Sequence, residues 1–321
     1  FNQGTLYAAG GVIVNAASLT QGVKGQLYGV HGARIAVAGD VDNGGSLVGG
    51  DGLSLTAHAI TSRGELGTRQ GDASLASASD VTLAGNTVVG GTLSLRTSGA
   101  LRQQGQLTTG NLDADVGSLD NSGETYARGD AQVHTVRDVA NAGSLYADGR
   151  LTLGADGAVG NTGTLHAGTD LDLRAASVES SKQIDAGGDV AIDAQSLRLA
   201  GNVQAGRDVS LSTPGTLVNA ATVVAGRDAM VRGGAMANSG ELSATRNLTV
   251  SVDGSVDNTG KLYAGGVLDL TADAMSVGAE GSASAGGTAS LHLRDALDNA
   301  GSVVGGQVLA IDAARIDSRG S

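Results

Sequence analysis

The chain has 321 residues with 53 Gly, one Pro, no Cys, no Trp and a formal net charge of −12. Without Cys there are no disulfide staples or zinc–thiolate sites, and the acidic balance lacks the basic footprint with which nucleic-acid binders displace counterions from phosphates. No apolar run approaches the roughly 18–20 residues of a membrane-spanning helix, and aromatic residues are only 2 % of the chain, so the interior is expected to be thin, regular and built from Ala, Val, Leu and Ile.

From the N-terminus onward one motif returns, of the form N-x-G-x-L-x-A-G: "NQGTLYAAG", "NGGSLVGG", "NSGETYARG", "NAGSLYADG", "NTGTLHAGT", "NSGELSAT", "DNTGKLYAGG" and "DNAGSVVGG". With its first Gly as marker, the equivalent positions are 4, 25, 45, 64, 85, 105, 123, 143, 163, 182, 201, 221, 240, 260, 281, 301 and 320, at spacings of 18 to 21 residues. Self-similarity at this period is the signature of a solenoid. The coils marked at Lys182 and Gly201 lack the Asn, and the first also lacks the Gly.

Within each coil the pattern alternates, which means strand. An aliphatic lies four residues before the marker (Val41, Val81, Leu101, Val139, Val159) and a Leu or Val two after it. A second aliphatic pair follows eight and ten after the marker, as at Leu53 and Leu55, Leu93 and Leu95, Leu151 and Leu153, Leu171 and Leu173, and Leu268 and Leu270. Gly-rich corners separate these segments. About three short strands per coil predict an all-β parallel β-helix of about 16 coils of roughly 20 residues, stacked roughly 4.8 Å apart. The Asn two before the marker is in phase with the inward aliphatics, so Asn121, Asn141 and Asn161, then Asn219, Asn238 and Asn258, are expected to face in and satisfy one another as amide ladders. The pattern runs through residues 1–321 as one segment. Neither end reads as a polar cap, so an internal piece of a longer fibre is expected.

Paired carboxylates can hydrolyse glycosidic bonds, and Asp113 and Asp115, Asp170 and Asp172, Asp189 and Asp193, and Asp253 and Asp257 offer pairs. A cleft needs walls, however, and no interval between markers is long enough for projecting loops, so no enzymatic activity and no catalytic residue is expected. The five His are scattered without metal-ligand spacing, and neither a metal nor a cofactor is expected.

Two exposed features remain. All five Tyr fall three residues after a marker, on the outward side, and His166 joins them, so Tyr126, Tyr146 and His166 make three successive rungs of one stripe. Such a stripe either stiffens the sheet by cross-rung stacking or offers ring faces on which glycans pack. At the corner beyond Tyr126 stands Arg128-Gly129-Asp130, a tripeptide that docks onto integrin receptors when a loop presents it. The same corner elsewhere reads "GRD" at 206–208 and 226–228. The tripeptide is therefore either a receptor contact or a transposed version of the ordinary turn.

The N-x-G-x-L-x-A-G repeat with its paired aliphatics resembles the repeats of filamentous haemagglutinins and related two-partner-secretion exoproteins, including the sticks of contact-dependent inhibition systems. The resemblance implies a right-handed parallel β-helical rod. It also implies export through a dedicated outer-membrane transporter, and a place outside or on the surface of a Gram-negative bacterium. Its expected work is adhesion to host-cell receptors, integrins among them, and to glycans, with passive spacing as the alternative and polysaccharide processing as the remotest.

Overall fold

A computed structural model describes residues 1–320. The chain is all-β, a parallel β-solenoid of about sixteen turns, and no helix occurs among the described residues. It divides into two compact units, Phe1–His166 and a second from Ala167 onward.

In most turns of the first unit there are three short strands, as in Thr5–Ala8, Val12–Ala16 and Leu19–Gln21, while Asn86–Gln103 and Gln106–Asn121 each run as one continuous strand. Each strand pairs in parallel with the strand one turn later: Thr5 with Gln26, Val12 with Ala33, Leu19 with Val41. Backbone hydrogen bonds therefore run between turns, and an isolated turn would leave them unmade. Side chains alternate in and out along most strands, as in Leu53–Ala57 and Ala131–Thr135, which explains why apolar residues recur at every second position. Leu47, Leu53, Leu55, Val41 and Ile60 are all buried. The column that lies ten residues after most markers runs Ile35, Leu55, Leu75, Leu95, Ala114, Val133, Leu153, with Leu75 eleven and Ala114 nine after theirs. In the second unit it runs Leu173, Ile192, Leu211, Val231, Val250, Leu270, Leu291. Both columns are as the spacing requires. The turns marked at Lys182 and Gly201 keep register without the Asn, for Ile184 pairs with Val203 and Val203 with Val223.

The inward amide column forms. Asn121 Nδ2 donates to Asn141 Oδ1 at 2.7 Å and Asn141 Nδ2 to Asn161 Oδ1 at 2.8 Å. In the second unit Asn219 donates to Asn238, and Asn238 to Asn258, each at 2.8 Å. A second proton of each amide reaches a backbone carbonyl of the following turn, such as Ser144 O from Asn121 and Lys261 O from Asn238. Two departures have local causes. The corner from Gly22 to Gly25 is longer than its counterparts, so Gln21 rather than a residue two before the marker takes the column position, paired with Asn43. In the fifth turn Leu83 occupies the column, so no amide lies below Gln103, whose buried Oε1 has no hydrogen-bond partner.

The marker glycine is required by the stacking of corners. A Cβ at Gly143 would lie 2.0 Å from the carbonyl oxygen of Gly123, the marker of the turn before. No rotamer relieves a backbone contact of that kind.

Candidate functional site

The corner seven residues after the marker is built by short acidic or amide side chains. In the second unit Asp170 Oδ1 accepts the Asp189 N–H at 3.0 Å, and Asp189 Oδ1 accepts the Asp208 N–H at 3.1 Å. Asp208 and Asp228 continue with the N–H groups of Asp228 and Asn247, each at 3.1 Å. Each carboxylate thus satisfies the corner N–H of the next turn, which the strand ladders leave unpaired. The preceding Arg reaches back to the carboxylate one turn earlier. Arg207 places Nε and Nη2 at 2.9 Å from the two oxygens of Asp189, and Arg227 does the same to Asp208 at 3.1 and 2.5 Å. These hydrogen bonds hold the carboxyl groups of Asp189 and Asp208 below the ordinary range, the partial burial of each opposing the shift.

Arg128, Gly129 and Asp130 occupy the same corner in the first unit, at the end of the strand Glu124–Ala127. The Asp130 N–H donates to Asn111 Oδ1, and Asp130 Oδ1 accepts the Arg150 N–H, both at 2.9 Å. Asp130 is therefore a member of the corner ladder as well as an exposed carboxylate. A Cβ at Gly129 would lie 2.2 Å from Asn111 Oδ1, so a larger residue there would have to displace that side chain, although the equivalent position carries Arg207 and Arg227 in the second unit. Arg128 stands one residue earlier than Arg207 or Arg227 do in their corners. Its guanidinium turns along the surface, Nη2 meeting the carbonyl oxygen of Val89 at 3.2 Å.

The outward stripe lies beside this corner. Tyr126 pairs with Tyr146, and the Tyr146 and His166 rings lie 5.1 Å apart with their planes inclined at 40°. The Tyr126 hydroxyl donates to the Asp148 carboxylate, a bond that raises the phenol pKa. Tyr126 and Tyr146 each retain 37 % exposure. The Tyr126 hydroxyl is thus tied to the solenoid's own surface, while part of each tyrosine remains in contact with solvent. At the other end of the first unit Tyr7 and Tyr28 stack at 5.9 Å.

Most of the aspartates that could have formed catalytic pairs have partners of their own. Asp113 pairs with Arg96, Asp115 with His134, and Asp172 with Arg174. Among the described residues no group of three or more His, Asp or Glu is placed to hold a metal ion. The corner ladder was missed in reading the sequence. Its signal was the recurrence of Asp seven after the marker, at 130, 170, 189, 208 and 228.

The model of the haemagglutinin repeat family matches residues 1–45, 29–105, 68–135, 220–276 and 263–321. No curated protein and no solved structure matches the chain.

Proposed function

We propose that this chain, which belongs to the haemagglutinin repeat family, is the part of a secreted or surface-attached bacterial adhesin that carries contact sites away from the cell and presents them to glycans and host-cell receptors. The observation that supports this most is the stripe of Tyr126, Tyr146 and His166, partly exposed rings in register on successive turns. A solenoid needs its inward residues to fold. It does not need outward aromatics in a chain that has so few, and stacked aromatic faces at a repeat of about 4.8 Å suit the apolar faces of sugar rings. Arg128, Gly129 and Asp130 form the second contact, for an integrin-type receptor whose metal would take the exposed Asp130 carboxylate. In the full-length protein, export would use an outer-membrane two-partner-secretion transporter of a Gram-negative cell.

The test is binding of the purified chain to a glycan array and to integrin-bearing cells, with Tyr146→Ser and Asp130→Asn as variants. Loss of array binding with the first, and of chelator-sensitive attachment with the second, is the expected result. No binding in either format would leave the chain as a spacer, as in a contact-dependent inhibition stick. The engagement of Asp130 and Tyr126 in the surface's own hydrogen bonds favours that second reading.

A further inference from the structure

The aromatic stripe is interrupted in the first unit. Along the column three residues after the marker, Tyr7 and Tyr28 are followed by Val48, Gly67 and Val88. Gly67 adopts φ +146°, and a Cβ there would lie 1.8 Å from the carbonyl oxygen of Val88, so this rung carries no side chain. The gap opens a groove of about 600 Å³. Val48 and Gly67 form its floor, and Tyr28 and Val88 stand at its ends, three turns or about 14 Å apart.

One side of the groove carries polar groups in order. Gln26, Ser46 and Glu65 line it, and the Ser46 hydroxyl donates to Glu65 Oε2 at 2.7 Å, which holds the carboxylate in place as an acceptor. On the other side Arg69 reaches back across the Val48 rung, its guanidinium carbon 4.9 Å from the centre of the Tyr28 ring. Arg63, Arg96, Arg102, Arg207, Arg227 and Arg246 each hold an Asp. Arg69 forms no ion pair among the described residues. A guanidinium stacked on a ring keeps its in-plane N–H donors available, the geometry that takes a carboxylate in bidentate fashion.

We propose that this groove binds an extended glycan bearing carboxylates, with its sugar rings over the floor of Val48 and Gly67 and against the edge of Tyr28, hydroxyls on Gln26 and Glu65, and one carboxylate on Arg69. Charge decides the class of ligand. The groove offers one cation opposite one anion, on a chain of net charge −12. A polysulfated chain would meet repulsion along most of its length, whereas a sugar chain with one carboxylate per disaccharide places a single charge where the single cation stands. The groove's length suits an oligomer rather than a lone ring. The proposal takes its class of ligand from the glycan-contact reading above, but it uses different residues and stands or falls separately from Tyr146.

Calorimetric titration of the whole chain tests it, with a hexasaccharide alternating glucuronic acid and N-acetylglucosamine, and with the same hexasaccharide after its carboxylates are reduced to alcohols. The acid form is expected to bind at least tenfold more tightly than the reduced form. Arg69→Gln should bind the two forms alike, at the affinity of the unaltered chain for the reduced one, and with an unchanged melting temperature because Arg69 is exposed. Tyr28→Ala should weaken both forms. Equal affinity of the unaltered chain for the two forms, full binding by Arg69→Gln, or no heat with either ligand would each overturn the proposal. Loss confined to Tyr146→Ser would do so too, while leaving the stripe as a glycan contact.

Discussion

Arg128 donates to the carbonyl oxygen of Val89, 39 residues earlier in the chain, while Asp130 holds the Arg150 N–H in the following turn. The two charges of the tripeptide thus brace the surface in opposite directions along the axis. Any receptor that uses them must compete with these bonds or accept the second carboxylate oxygen.

This geometry selects the informative substitution. Asn111 and Asn247 perform the corner role with an amide oxygen, so Asp130→Asn is expected to melt within about 0.5 kcal/mol of the parent while removing the carboxylate. Asp130→Ala, which leaves the Arg150 N–H without its acceptor, should cost about 1–3 kcal/mol. Thermal unfolding of the pair separates the structural from the receptor role. An integrin contact through Asp130 predicts attachment lost in both, whereas a passive corner predicts an effect only on stability.

The inward amide column makes a graded prediction. Asn141→Leu breaks two amide–amide bonds, to Asn121 and Asn161, whereas Asn258→Leu breaks only the one from Asn238. Leu is already accommodated at this column position by Leu83 and Leu199, so size alone does not distinguish the sites. Asn141→Leu is expected to be the more destabilising by about 1 kcal/mol in denaturant unfolding. Equal costs would mean that the ladder contributes nothing beyond packing.

At the corners, Gly143→Ala should destabilise by about 1–3 kcal/mol or more, because its methyl meets the Gly123 carbonyl. Gly10→Ala, with nothing within 4 Å of the added carbon, should be close to neutral. Melting curves of the two variants compare a stacked corner with an open one.

The Arg–Asp corners predict an acid-side dependence. Asp208 is held below its ordinary pKa first by the Arg227 guanidinium and further by the Asp228 N–H. A carboxyl depressed in the folded state contributes stability in full above its unfolded value of about 4, and loses it as pH falls through the lowered value. Carboxyl NMR titration should show the Asp208 midpoint rising toward the ordinary range in Arg227→Gln. An unmoved midpoint would assign the shift to the backbone donor instead.

How far these features were legible in the sequence follows from what spacing can carry. Leu55, Leu95 and Leu153 announced their column because strand alternation and turn length are both one-dimensional, and Asn121, Asn141 and Asn161 were readable for the same reason. The corner role of Asp130 was not, because its partner is a backbone N–H one turn away and no residue type marks an N–H. The groove was still less visible. It arises from a missing side chain at Gly67 and from Arg69 folding back over two turns to reach Tyr28, and neither the absence nor the direction of reach is written in a repeat.

The amide column described above also has a polarity. Asn2, Asn43, Asn121, Asn141, Asn219, Asn238 and Asn299 all donate forward, from the earlier turn to the later one. Within the runs Asn121–Asn141–Asn161 and Asn219–Asn238–Asn258, each rung therefore offers the same plug at one side and the same socket at the other. Excising residues 122–141 would bring Asn121 against Asn161 as the next rung, with nothing left over. Excising ten residues would set donors against carbon. Within such a run, removing or adding one whole turn is the change of reach that keeps every rung paired, whereas the spacings of 18 to 21 residues show that the corners absorb smaller changes.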